Sequence, residues 1–207
     1  MNAAYVREQL AIALRVARFE KDSVRDFDQS FDGFFRSFFG IILCAPLYLL
    51  IVLAERRITE NAPIELPEAS FPSMPPTSVT YIALESLSYL AGWIAFPLAM
   101  IFLARLIGAS PRYVPFIVAY NWTSCVALAL LTIPSALYLI GVIPITGAIL
   151  LSYPILLFTI VYHWKVAREG LDISALTAVG IVLFDVILGL FIALTLARLR
   201  AGLVPIG

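Results

Sequence analysis

Residues 113–164 contain no Lys, Arg, Asp or Glu, whereas a helix that crosses a bilayer needs only about 20 predominantly apolar residues. A stretch this long has room for two crossings. In lipid a chain can satisfy its own backbone only as helix or as a closed barrel, and runs of continuous rather than alternating apolar residues select helix. Three further apolar stretches lie outside this one. The composition points the same way, with 61% hydrophobic residues, 14% charged residues and a mean hydropathy of +0.95, against about half and about a quarter in soluble domains. The expected fold class is therefore all-α, a polytopic helical membrane protein with five transmembrane helices and an N-terminal amphipathic helical segment.

The spans are read at about 38–54, 82–103, 114–137, 142–162 and 175–197, within a transmembrane domain covering 37–199. Residues 1–36 precede it as a polar segment. There Val6, Leu10, Ala13, Leu14 and Ala17 keep helical spacing, while Arg7, Glu8, Arg15, Arg18 and Lys21 fill the other positions. Such a helix can lie on the membrane surface or pack on the protein's own loops. Ser23 and Asp26 have the spacing of a capping box that restarts the helix, with Phe27 and Phe31 continuing its apolar face. The segment lacks a continuous apolar region ahead of a small-residue cleavage site, so no removable signal peptide is expected. Residues 55–80 carry Pro63, Pro67, Pro72, Pro75 and Pro76, which favour extended backbone, and are read as a Pro-rich external loop. In the second span, Ser88 and Gly92 predict close helix approach.

Charge distribution orients the spans. Arg7, Arg15, Arg18, Lys21, Arg25, Arg36, Arg105, Arg112, Lys165 and Arg168 fall on one side, and Arg56, Arg57, Arg198 and Arg200 on the other. The positive-inside rule makes the first side cytoplasmic. The N-terminus is expected in the cytoplasm and the C-terminus outside. A net charge of zero offers nucleic acid no basic field.

Asp185 stands about ten residues into the fifth span, roughly 15 Å deep, where a charge costs on the order of 3 kcal/mol. It must be paired, protonated or wetted. Counted from the same edge, Asn121, Thr123, Ser152 and Tyr153 fall at comparable depth, which makes a midplane polar layer around Asp185 geometrically possible. That layer would serve a proton or cation relay, or simply hold a protonated acid in interhelical hydrogen bonds. Glu85 is expected near the outer interface with its head in water, and the single His163 at the cytoplasmic edge as an interfacial polar group. No nucleophile stands in a recognisable motif with a base, and no phosphate loop or helical zinc motif is present. Cys44 and Cys125 both fall within apolar spans, away from oxidant and metal. No catalytic residue, cofactor or metal site is expected.

Tyr120-Asn121-Trp122-Thr123 in the third span is similar to the Tyr-Gly-Tyr-Ser type of segment of the Yip-domain family. The stretch His163-Trp164-Lys165-Val166-Ala167-Arg168-Glu169-Gly170-Leu171 before a final span rich in small residues also resembles that family's bacterial pattern. The resemblance covers about residues 34–197. The family's Asp-Leu-Tyr-Gly-Pro signature ahead of the first span is absent, and Asp32-Gly33-Phe34-Phe35 stands in its place. What the resemblance implies is a non-enzymatic protein that organises or assists partner proteins in a bacterial inner membrane. Its candidate contact surface is Arg7, Arg15, Arg18 and Lys21. Its partners would be the lipid bilayer and another protein, and self-association is compatible with the little surface five spans bury. The alternative is a small transporter or channel subunit for a proton, cation or small polar solute, using the Asp185 layer.

Overall fold

The computed structural model describes residues 2–61 and 79–202, and these form seven α-helices and two short 3-10 turns, with no strand among them. Two helices precede the membrane domain: α1 (Ala3–Ala17) and α2 (Phe31–Ser37). Five long ones follow: α3 (Gly40–Asn61), α4 (Val79–Leu106), α5 (Tyr113–Leu139), α6 (Ile145–Leu171) and α7 (Ala175–Gly202). Each of the five is long and apolar enough to cross a membrane. At 1.5 Å per residue α4 to α7 are about 40 Å long, against about 30 Å of hydrocarbon. Their ends therefore project beyond it.

The helix limits differ most from the sequence reading in two places. Residues 55–61 continue α3 and residues 79–80 already belong to α4, because the chain meets no proline until Pro63 and the residue before a proline is what resists helix. The prolines of the expected loop lie outside the described residues. At the other place α6 runs nine residues past Tyr162 and stops at Asp172, whose φ of 56° is left-handed. The remaining turns use Gly108 (φ 73°) before α5 and Gly141 (φ 75°) before α6, where a side chain would be strained.

Helix α5 is the axis of the bundle. Of its most apolar window 61% is buried, compared with 17–28% for the other four. Small residues let α3 approach it: a Cβ on Gly40 would stand 2.9 Å from the Cys125 sulfur and 2.9 Å from the Trp93 ring. Gly92, expected to mediate close approach, has open space around it instead. The outward faces of α4 and α7 are largely apolar, with Leu98 and Phe102 of α4 and Leu190, Phe191 and Leu194 of α7 more than half exposed, as a lipid-facing surface requires.

The polar N-terminal segment packs mainly on the bundle's helices, and Arg25 also reaches Asp172 in the α6–α7 turn. Helix α1 buries Ile12, Ala13 and Val16, and the Tyr162 hydroxyl of α6 donates to the Ala13 carbonyl at 2.7 Å. The expected capping box at Ser23 does not form: residues Ser23–Asp26 make a 3-10 turn, with the Ser23 hydroxyl donating to Glu20 O. Ser30 caps α2 instead, accepting from Gly33 N at 2.9 Å. Its Gly33 is fixed by space, since a Cβ there would lie 2.6 Å from the Asp28 carbonyl oxygen. Together α1, the turn and α2 form a collar on one face of the bundle, at the end where α3 enters.

Candidate functional site

Three successive residues of α5 reach three different neighbours, because each step along a helix turns about 100°. The Tyr120 hydroxyl lies 3.0 Å from each carboxylate oxygen of Asp185 on α7 and donates to the pair. Asn121 Nδ2 donates to Ser37 Oγ at the end of α2, 2.8 Å away. Trp122 meets the Tyr5 ring of α1 edge to face, with centroids 6.2 Å apart. This triplet thus ties a transmembrane helix and both collar helices to the central one.

The expected layer does not assemble around Asp185. Thr123 is buried but donates to carbonyls of its own helix, Ala119 and Tyr120. The Ser152 hydroxyl returns to Ala148 O on α6, and Tyr153 is 63% exposed. Asn121 points to the collar. Equal depth is a necessary condition for meeting, whereas the facing direction is set by helix rotation, which a count of residues from the membrane edge leaves free.

Two residues complete the Asp185 site. Tyr120 is one, and its position next to Asn121 was the available signal. The other is His163, whose ring lies 5.4 Å from that of Tyr120, with Nε2 buried and without a hydrogen-bond partner among the described residues. The sequence placed His163 at a span edge because the span was ended at residue 162; in the longer α6 it faces inward. Phe96 covers the Tyr120 ring from α4 at 4.4 Å. Tyr120 is level with Ser37 and Tyr5 and more than one turn short of Cys125, which meets the first residue of α3.

The collar holds the other candidate residues. Arg15 is engaged within the protein, with Nε 2.7 Å from Glu20 and Nη1 2.8 Å from Asp26. Arg7, Arg18 and Lys21 are exposed and make no ion pair among the described residues. The inner side of the collar is a polar knot. The Tyr5 hydroxyl donates to Asp28 Oδ2 at 2.9 Å, Arg36 lies over the Tyr5 ring at 5.2 Å and ion-pairs with Asp32, and Asp28 N donates to Gln9. Burial, then the hydrogen bond to Asp28, pushes the Tyr5 phenol well up. Burial raises the Asp28 carboxyl, but the donors on Ser30 and Tyr5 and the charge of Arg36 outweigh it and hold Asp28 below the usual carboxylate value. Arg25 and Arg112 converge on Asp172 at 3.9 and 4.0 Å, joining the 3-10 turn to the α6–α7 turn.

No family model, curated protein or solved structure matches the chain. Among the described residues no group of three His, Cys, Asp or Glu side chains could hold a metal ion. What the geometry offers chemically is the hydrogen-bonded Asp185 within the bundle, the hydrogen-bonded Glu85 between α3 and α4, and three exposed cations, Arg7, Arg18 and Lys21, on the collar.

Proposed function

We propose that this is a non-enzymatic integral membrane protein of Yip-like type that organises or assists partner proteins. In this reading the collar is its contact surface, the membrane is a bacterial inner membrane, the N-terminus lies in the cytoplasm and the C-terminus lies outside. The observation that carries the reading is the division of labour among the N-terminal cations. Arg15 and Arg36 are spent on internal pairs that hold the collar, while Arg7, Arg18 and Lys21 remain exposed on it. Exposed charge on a fixed support suits recognition of an acidic partner, because steering and register come from charge while little ordering entropy is lost. The test is crosslinking and pulldown from native membranes, comparing the unaltered chain with one carrying Arg7→Glu, Arg18→Glu and Lys21→Glu, Arg15 being left in place. A discrete partner lost on reversal is expected; the same partners persisting would refute the collar as the contact surface.

A transporter or channel role for a proton, cation or small polar solute is the second reading, favoured by His163 standing beside the Tyr120–Asp185 pair with an unpartnered nitrogen. It expects proton flux in proteoliposomes that Asp185→Asn abolishes. A structural hydrogen bond expects no flux in the unaltered protein and a folded Asp185→Asn variant.

A further inference from the structure

Helix α2 turns Gly33 and Ser37 inward, Ser37 accepting from Asn121 Nδ2 of α5. Its outer side carries two stripes, each of two residues four apart, which are neighbours on a helix surface. One is Asp32 and Arg36, paired with each other. The other is Phe31 and Phe35, whose rings meet edge to face with centroids 5.1 Å apart and are still 69% and 61% exposed. Contiguous apolar surface of this kind marks a contact with something apolar.

The surroundings say what that is. Phe34 touches both rings and also meets the ring of Tyr113 at the start of α5, 6.1 Å away. The Tyr113 hydroxyl in turn donates to Pro97 O of α4 at 3.0 Å. Pro97 is nine residues inside the end of α4 at Leu106, about 13 Å, and the adjacent Leu98 and nearby Phe102 are more than half exposed. One tyrosine thus separates the α2 rings from a stretch of α4 that faces lipid. The backbone leads to the same level. Hydrogen bonds from Phe38 N to Phe35 O, Phe39 N to Arg36 O and Ile42 N to Phe39 O carry α2 into α3 through tight helical turns, so Phe31–Ile58 is one apolar helical run of 28 residues. The first charge near its far end is Glu55, and about 20 residues of spanning helix counted back from there reach residue 35. Phe35 stands at the edge of the hydrocarbon and Phe31 one turn outside it. The stripe continues on α3 with Ile42, 67% exposed.

We infer that α2 is a lipid-seated anchor of the collar, its Phe31 and Phe35 rings inserted into the adjoining leaflet with phospholipid acyl chains as their partner. The Asp32–Arg36 pair beside them lies at the headgroups, where charged side chains at a helix end reach water. The inference uses none of Arg7, Arg18 and Lys21 and stands apart from the partner reading. Its test is photocrosslinking in native membranes, with Phe31 or Phe35 of the full-length chain replaced by the photoreactive p-benzoylphenylalanine. Both positions are exposed, so the larger ring displaces nothing in the core. After irradiation the purified protein is weighed intact. Each variant should gain the mass of one phospholipid. A shift equal to a second copy of the chain or to another protein at either position overturns the proposal, as does the failure of either position to gain lipid.

Discussion

Replacing Gly40 by Ala should destabilise the protein, although alanine is the better helix former. The new Cβ would stand 2.9 Å from the Cys125 sulfur and 2.9 and 3.0 Å from two atoms of the Trp93 ring. These are a few tenths of an ångström to half an ångström inside ordinary contact. Cys125 is held, its thiol donating to Asn121 O at 3.4 Å. Trp93 is buried and packs against the Tyr89 ring. Overpacking a filled site costs about 1–3 kcal/mol, while Gly to Ala at a compatible helical position returns about 0.4–1 kcal/mol through the unfolded chain. The net is a loss of about 1–2 kcal/mol, or about 2–8 °C in midpoint by the scaling for chains of this size. Thermal unfolding in detergent, followed by tryptophan fluorescence, measures it. Gly92→Ala is the internal control: its Cβ meets nothing within 4 Å, so only the favourable term acts and the midpoint should hold or rise. Cys125→Ala should rescue part of the Gly40→Ala loss, a coupling that a double-mutant cycle isolates. Equal effects of Gly40→Ala and Gly92→Ala, or strict additivity with Cys125→Ala, would refute the close approach of α3 to α5.

Two further outcomes bear on the collar. Tyr162→Phe removes the hydroxyl that donates to Ala13 O, so α1 should loosen by about 1 kcal/mol, seen as faster amide exchange confined to α1; unchanged exchange would show that this bond does not hold the collar. The Tyr5–Asp28 knot should fail at both extremes of pH. Asp28 is depressed in the folded protein, so its contribution is present above the unfolded value of about 4 and fades as pH falls through its lower folded value. Tyr5 is raised, so its contribution is complete below the unfolded value of about 10 and fades as pH rises above it. Fluorescence of Trp122, which touches Tyr5, in a variant with Trp93→Phe and Trp164→Phe should report both limbs, and Asp28→Asn should remove the acid one.

The sequence by itself determined the class of fold: long uncharged runs have no stable state in water, and in lipid continuous rather than alternating apolar runs satisfy their backbones as helices, so five crossings followed from length and hydropathy alone. The helical spacing of Val6, Leu10, Ala13, Leu14 and Ala17 also pointed to helix within residues 3–31, since a 3.6-residue period is a local property, and the structure set its limits at Ala3–Ala17. What those helices turn towards one another was decided by the tertiary structure. Asp185, Asn121, Thr123 and Ser152 look alike in depth, yet only rotation about each axis gave Asp185 to Tyr120 and Asn121 to Ser37. Gly40 and Gly92 look alike as small residues in spans, yet only packing made one a contact and the other open surface. Arg15 and Arg18 are equivalent cations in the sequence, and the fold of the 3-10 turn brought Glu20 and Asp26 to one of them. Hydropathy and periodicity are written residue by residue along the chain, whereas rotation, close approach and ion pairing depend on which distant residue arrives opposite.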